Sequence, residues 1–271
     1  MDLTGIFGYA FIRHAFIAGA LISVLCAVLG VILVLRRLSL IGDGLAHVTF
    51  GSAALAMALN LYPLAVSLPL VVVSSFGILK ITERTRVYGD AAIGVVSSIG
   101  IAFGVLFASI AGGFNVDLFS YLFGSILSIR TSEVFISAAV CLVSLAVIYL
   151  HFDEIYSITF DEEFARASGI RVDRINAMLM VLTAVTVVLA MKIVGVMLTS
   201  ALLVLPAVTA LQNSHGFRNV IISAAAVSVV CLFAGVLISF SWDIPSGAAI
   251  VIVNALFCAA AFVYRSTAGR S

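Results

Sequence analysis

Apolar runs of about 17–22 residues recur along nearly the whole chain, and at 1.5 Å per residue each is long enough to cross the ~30 Å hydrocarbon core of a bilayer as a helix. Lipid offers no hydrogen-bond partner to backbone N–H and C=O groups, so a chain built of such runs has few choices beyond a bundle of spanning helices. The pattern predicts an all-α, polytopic integral membrane protein. Spans are expected near 15–35, 40–59, 64–81, 91–111, 132–150, 176–191, 193–211, 221–240 and 247–264. That makes nine helices, or eight if one run fails to cross. The interval 113–131, GFNVDLFSYLFGSILSIRT, is polar and broken by glycine, and reads as a partial, re-entrant or interfacial segment. No repeat or low-complexity tract divides the 271 residues, which read as a single transmembrane domain. The first run is long enough to span and lacks a cleavage pattern after it, so it is expected to be kept as a helix.

Charge is scarce, 10% of residues against 63% hydrophobic, and it gathers between the runs. With the N-terminus outside, Arg36, Arg37, Lys80, Arg84, Arg86, Arg166, Arg171, Arg174, Arg218, Arg265 and Arg270 fall on the cytoplasmic side. Only Arg13, Arg130 and Lys192 fall outside. This bias places the loop at 151–175 and the C-terminus in the cytoplasm. A formal net charge of +1 without a basic tract argues against nucleic acid as a partner. Cys26, Cys141, Cys231 and Cys258 all lie in apolar runs without CxxC spacing, which predicts small core residues and neither disulfides nor a thiolate metal site.

Against that background the stretch GDGLAHVTFG, residues 42–51, places Asp43 and His47 inside an apolar run. Counted from Arg37 along a helix, they lie roughly 9 and 15 Å deep. The remaining acids and the other histidines, His14, His151 and His215, fall in loops or near helix ends. An ionisable group in the membrane interior costs about 2.5–3.5 kcal/mol or more, so it needs a function or a partner. The i, i+4 spacing turns both side chains to one helix face. Three readings follow: a pair that satisfies itself and pins two helices, a proton relay, or a metal site. Carboxylate oxygen and imidazole nitrogen suit Zn²⁺ or Mn²⁺, which favours the metal. Two ligands do not complete either coordination sphere. A two-fold homodimer would present Asp43 and His47 twice, giving four ligands on the symmetry axis. Gly42, Gly44 and Gly51 around the pair permit close helix approach or a helix break.

A second informative stretch is FDEEFARASGIRVDR, residues 160–174. Asp161 suits a helix N-cap, Glu162 and Glu163 suit its first turn, and Gly169 suits its end. Phe164, Ala165 and Ala167 offer a small apolar face. The segment reads as a short surface helix, either an ordinary connector or a docking element for a cytoplasmic protein. The chain contains no GxxxxGK[ST] loop, so any ATP hydrolysis belongs to a separate subunit. Nothing marks the chain itself as an enzyme.

Five stretches together resemble the permease subunits of bacterial ABC uptake systems for zinc, manganese and ferrous iron, the ABC-3 family that includes the Znu-type zinc permease. They are RRLSLIGDGLAHVTFGSA (36–53), DAAIGVVSSIGIAFGVL (90–106), DLFSYLFGSIL (117–127), DEEFARASGI (161–170) and MKIVGVMLTSALLVLPAVTA (191–210). The resemblance implies a homodimeric permease of the bacterial cell (inner) membrane. Its implied partners are cytoplasmic ATPase subunits carrying ATP and an extracellular or periplasmic solute-binding protein. Asp43 and His47 match the family's GD-x-L-x-H motif, implying a metal pathway. Asp161, Glu162, Glu163, Phe164, Ala165, Arg166, Ala167, Ser168, Gly169 and Ile170 match the helix that docks on the ATPase. Two departures stand out: Gly51-Ser52 where many relatives have Pro-Gly, and Ser125 where relatives often have aspartate.

The expected cargo is a divalent transition metal, zinc favoured over manganese or iron, with no permanently bound cofactor. Pro206, in LLVLPAV, removes a backbone donor and predicts a helix kink with a possible part in gating. Lys192 marks a tight outer turn, while Asp117, Glu133 and Asp243 read as solvated charges near the outer face. A rival function is a stand-alone secondary transporter in which the Asp43–His47 pair exchanges metal for protons. The missing inverted repeat and the outward-directed 161–170 segment weigh against it.

Overall fold

The computed structural model describes residues 10–84, 89–111, 131–242 and 244–268. Nine long helices stand among them: α1 (Ala10–Leu35), α2 (Ile41–Ala58), α3 (Pro63–Arg84), α4 (Gly89–Ile110), α5 (Thr131–Leu150), α8 (Val172–Val194), α9 (Val196–Asn213), α10 (Phe217–Trp242) and α11 (Ser246–Ala268). Two short ones, α6 (Phe152–Phe160) and α7 (Glu162–Ala167), lie between α5 and α8. Each predicted span coincides with a long helix to within a few residues. Seven are long and apolar enough to cross a membrane by length and composition; α2 and α9 are shorter. The reading of 113–131, and Asp117, Ser125 and Asp243, fall outside the described residues, residue 131 itself excepted.

Burial sorts the helices. The spanning stretches of α1 and α8 are 72% buried within the protomer, against 22% for α3, α4 and α5, so the first two form the centre and the others the periphery. Large apolar side chains on the periphery, Val73, Val95, Phe103, Phe135 and Leu142 among them, are exposed, as they are when lipid and not water is the solvent. Hydrophobic burial drives little association between helices in lipid, so close packing has to do it. Backbone approach at small residues supplies that packing. A Cβ on Gly30 of α1 would overlap the Leu203 carbonyl of α9, and one on Gly235 of α10 would meet the backbone of Ile250 in α11. Polar ties are few: Ser228 Oγ donates to the Ser23 carbonyl at 3.0 Å, joining α10 to α1. The four cysteines are buried and free, as composition predicted.

The helix ends gather into two opposite groups. At one, Arg36 meets Glu162, Phe152 packs on Phe217, and Arg265 donates to Gln212 at 2.8 Å. At the other, Lys192 meets Tyr62 and Glu133. Arg36, Arg37, Lys80, Arg84, Arg166, Arg171, Arg174, Arg218 and Arg265 all belong to the first end, which therefore carries the cytoplasmic signature.

Candidate metal pathway and coupling segment

The helix that carries Asp43 and His47 starts abruptly. Arg37 takes φ +60°, and the Leu38 N–H donates back to the Leu33 carbonyl at 2.8 Å, closing α1 without a glycine. Five residues, Arg36 to Leu40, then lead into α2 at Ile41. This corrects the depth count, which took the chain from Arg37 as continuous helix. Asp43 lies about 3 Å and His47 about 9 Å from the start of α2. Asp43 lies in the first turn of α2, beside the helix's unpaired N–H groups.

The pair is together. His47 Nε2 stands 3.6 Å from Asp43 Oδ2, with the side chains 28% and 45% exposed. Most of α2 is buried, so these two side chains occupy the helix face that the described part of the protomer leaves open. Among the described residues no three His, Cys, Asp or Glu side chains converge. The pair thus offers two donor atoms side by side, fewer than a Zn²⁺ or Mn²⁺ coordination sphere needs.

Glycines position this face from behind. A Cβ at Gly100 of α4 would lie 2.8 Å from the Val48 nitrogen and 2.9 Å from the His47 carbonyl carbon, while one at Gly51 would lie 2.5 Å from the Gly100 carbonyl oxygen. Backbone therefore packs on backbone where α2 and α4 cross. Just past His47 the surface opens into an apolar groove of about 440 Å³ between α2, α3 and α4, lined by Val48, Gly51, Leu55, Leu70, Ile99 and Phe103 among others.

The 160–174 segment folds as its residues suggest. Asp161 caps α7, its Oδ1 accepting from the Phe164 N–H at 2.9 Å, and Gly169 ends the turn at φ +88°, with the Ile170 N–H returning to the Ala165 carbonyl. The apolar face divides: Ala165 is buried, whereas Phe164 and Ala167 are exposed. Arg166 pairs with Glu162 at 3.5 Å and with Asp173 at 3.2 Å, which ties α7 to the start of α8. Pro206 lies inside α9 and is buried.

Two arrangements escaped sequence reasoning. Arg36 Nη2 lies 3.4 Å from Glu162 Oε2 across 126 residues, its side chain only 10% exposed. Burial lowers the Arg36 guanidinium from its ordinary value, and Glu162 acts in the opposite sense. A basic residue at the end of an apolar helix gives no signal beyond an interfacial anchor. Glu133 is the other case. It is no solvated loop charge: it sits in the first turn of α5, mostly buried, and pairs with Lys192, whose Nζ also donates to the Tyr62 hydroxyl at 3.3 Å.

The sequence profile of the ABC 3 transport family matches residues 8–265. The chain belongs to that family. A Thermotoga maritima relative named as a probable metal transport system membrane protein is 32% identical over 245 residues, covering 90% of this chain and 86% of its own. The manganese transport system membrane protein MntC of Halalkalibacterium halodurans is 29% identical over 261 residues, covering 96% and 89%. A chain of PsaBC from Streptococcus pneumoniae, solved in complex with Fab, superposes with a TM-score of 0.86 at 28% identity, covering 96% of this chain and 94% of that one. As a member of the ABC 3 family the protein is a multi-pass membrane permease subunit, and ATP hydrolysis resides in another subunit. That assignment sets aside the stand-alone exchanger.

Proposed function

We propose that this permease forms the translocation path of an ATP-driven importer for a divalent transition metal, received by Asp43 and His47 of two identical subunits. The observation that carries the reading is the pair itself: an oxygen and a nitrogen donor, 3.6 Å apart, on an otherwise apolar and open helix face. A metal held by few, exchangeable ligands can be released again, which transport requires. A second copy facing the first would double the donors to four. In this reading α7 docks on a cytoplasmic ATPase, a solute-binding protein delivers the metal on the other side, and Pro206 softens α9 for the change of access. The zinc preference expected from the sequence draws no support from the relatives cited above, one of which is named for manganese. Asp and His serve both ions, and manganese becomes the first cargo to test.

The test is metal uptake under manganese and then zinc limitation by cells carrying wild type, Asp43→Ala or His47→Ala, with membrane expression followed in parallel. Losing even an outer-shell partner of a metal ligand costs about 10–100-fold, so each variant should cut uptake of the cognate metal at least about tenfold while protein levels hold. Uptake that survives both substitutions would make the pair structural.

A further inference from the structure

We propose that Arg36 is a positioning residue that links the coupling helix α7 to the start of α2, so that movement of α7 resets the Asp43–His47 pair. The inference rests on the importer reading above and concerns a residue outside both the pair and the docking segment. Arg36 occupies the first position of the five-residue turn between α1 and α2, seven residues before Asp43. Its side chain is nine-tenths removed from solvent and reaches Glu162, in the first turn of α7, at 3.4 Å. A desolvated guanidinium that loses its carboxylate is heavily penalised, so Arg36 has to follow Glu162 or be left uncompensated. Glu162 has company of its own: Arg166 holds it from α7, and Arg166 in turn holds Asp173 on α8. The ion chain thus runs from α8 through α7 to the α1–α2 turn.

The receiving end has no side-chain cap. The N-cap of α2, Leu40, supplies no side-chain hydrogen bond, and the helix starts on the Ile41 and Gly44 N–H groups donating to Leu38 and Leu40 carbonyls. Backbone hydrogen bonds close this turn around a left-handed Arg37, and Arg36–Glu162 is a side-chain tie that joins it to another element. Because Asp43 lies in the first turn beyond it, a small shift there re-aims the carboxylate relative to His47.

The experiment uses the full permease with its ATPase subunit in proteoliposomes, supplied with manganese-loaded binding protein, and reads ATP hydrolysis and manganese uptake together. Arg36→Gln should leave the complex assembled and lower manganese moved per ATP by about tenfold. Arg36→Lys, which keeps a charge on a flexible stem but loses the planar fork, should fall between; it serves for the comparison if Arg36→Gln does not fold. Glu162→Gln should reduce the same ratio, and the double variant should lose no more than the worse single one, since both substitutions cut one link. Losses that multiply, or a ratio within about twofold of wild type in the Arg36 variants, would overturn the link and leave the importer reading standing. A wild-type complex that hydrolyses ATP without moving manganese or zinc would overturn that reading and this inference with it.

Discussion

Gly100 tests how His47 is held. A methyl group added there meets the Val48 nitrogen and the His47 carbonyl carbon, both backbone, so α2 must move away from α4 to admit it. Overpacking of this kind costs about 1–3 kcal/mol. Gly77 in α3 is the matched control, for a Cβ there meets nothing within 4 Å and the better helix former should help by about 0.5–1 kcal/mol. Thermal unfolding of the detergent-solubilised protein should show Gly100→Ala lowered and Gly77→Ala unchanged or raised. If His47 belongs to the proposed metal path, uptake should fall only in Gly100→Ala, since only that change shifts the backbone behind it. An unchanged Tm for Gly100→Ala would mean that α2 and α4 separate at no cost.

At the scale of elements, α7 is six residues long and too short to hold itself as a helix. Its termini therefore matter. Asp161→Ala removes the capping bond to Phe164, at about 1 kcal/mol, and Gly169→Ala forces a side chain into φ +88°, at about 1–2 kcal/mol. Hydrogen exchange should speed up at residues 162–170 in both variants and stay unchanged in α9. Retained protection would place the stability of α7 in its contacts and not in its caps. The caps were legible because Asp and Gly are chemically suited to helix ends and stand at the right separation. The nine long helices were legible for a similar reason, since length and hydropathy decide where a chain can cross lipid. The form of the turn after α1 was not, although its place was. A left-handed turn ordinarily announces itself by glycine or asparagine, and here arginine adopts it, so a count of helical rise from Arg37 overstates the distance to Asp43. The ion pairs were hidden too, because Arg36 and Glu162 meet only once α6 and α7 have folded back beneath α1.

For the whole molecule, the Lys192–Glu133 pair has a reach beyond its size. With Tyr62 it joins the end of α8, the start of α5 and the turn between α2 and α3. Both side chains are mostly buried, so Lys192→Met removes the cation facing a desolvated carboxylate and should lower stability by about 1–3 kcal/mol. Removing both charges, as Lys192→Met with Glu133→Gln, should recover at least half of that in thermal unfolding. A double variant less stable than the single one would show that packing of the stems, and not charge, holds this end.

Three residues beyond Lys192 the chain passes from α8 into α9 through Gly195 alone, at φ 93° and ψ 163°, a conformation open essentially to glycine. A joint of one residue has no slack to take up a tag, an epitope or a protease site. The exposed Asn60–Tyr62 turn at the same end is the roomier place for a label, while the passage from α8 to α9 works as a rigid elbow, handing any tilt of one helix directly to the other.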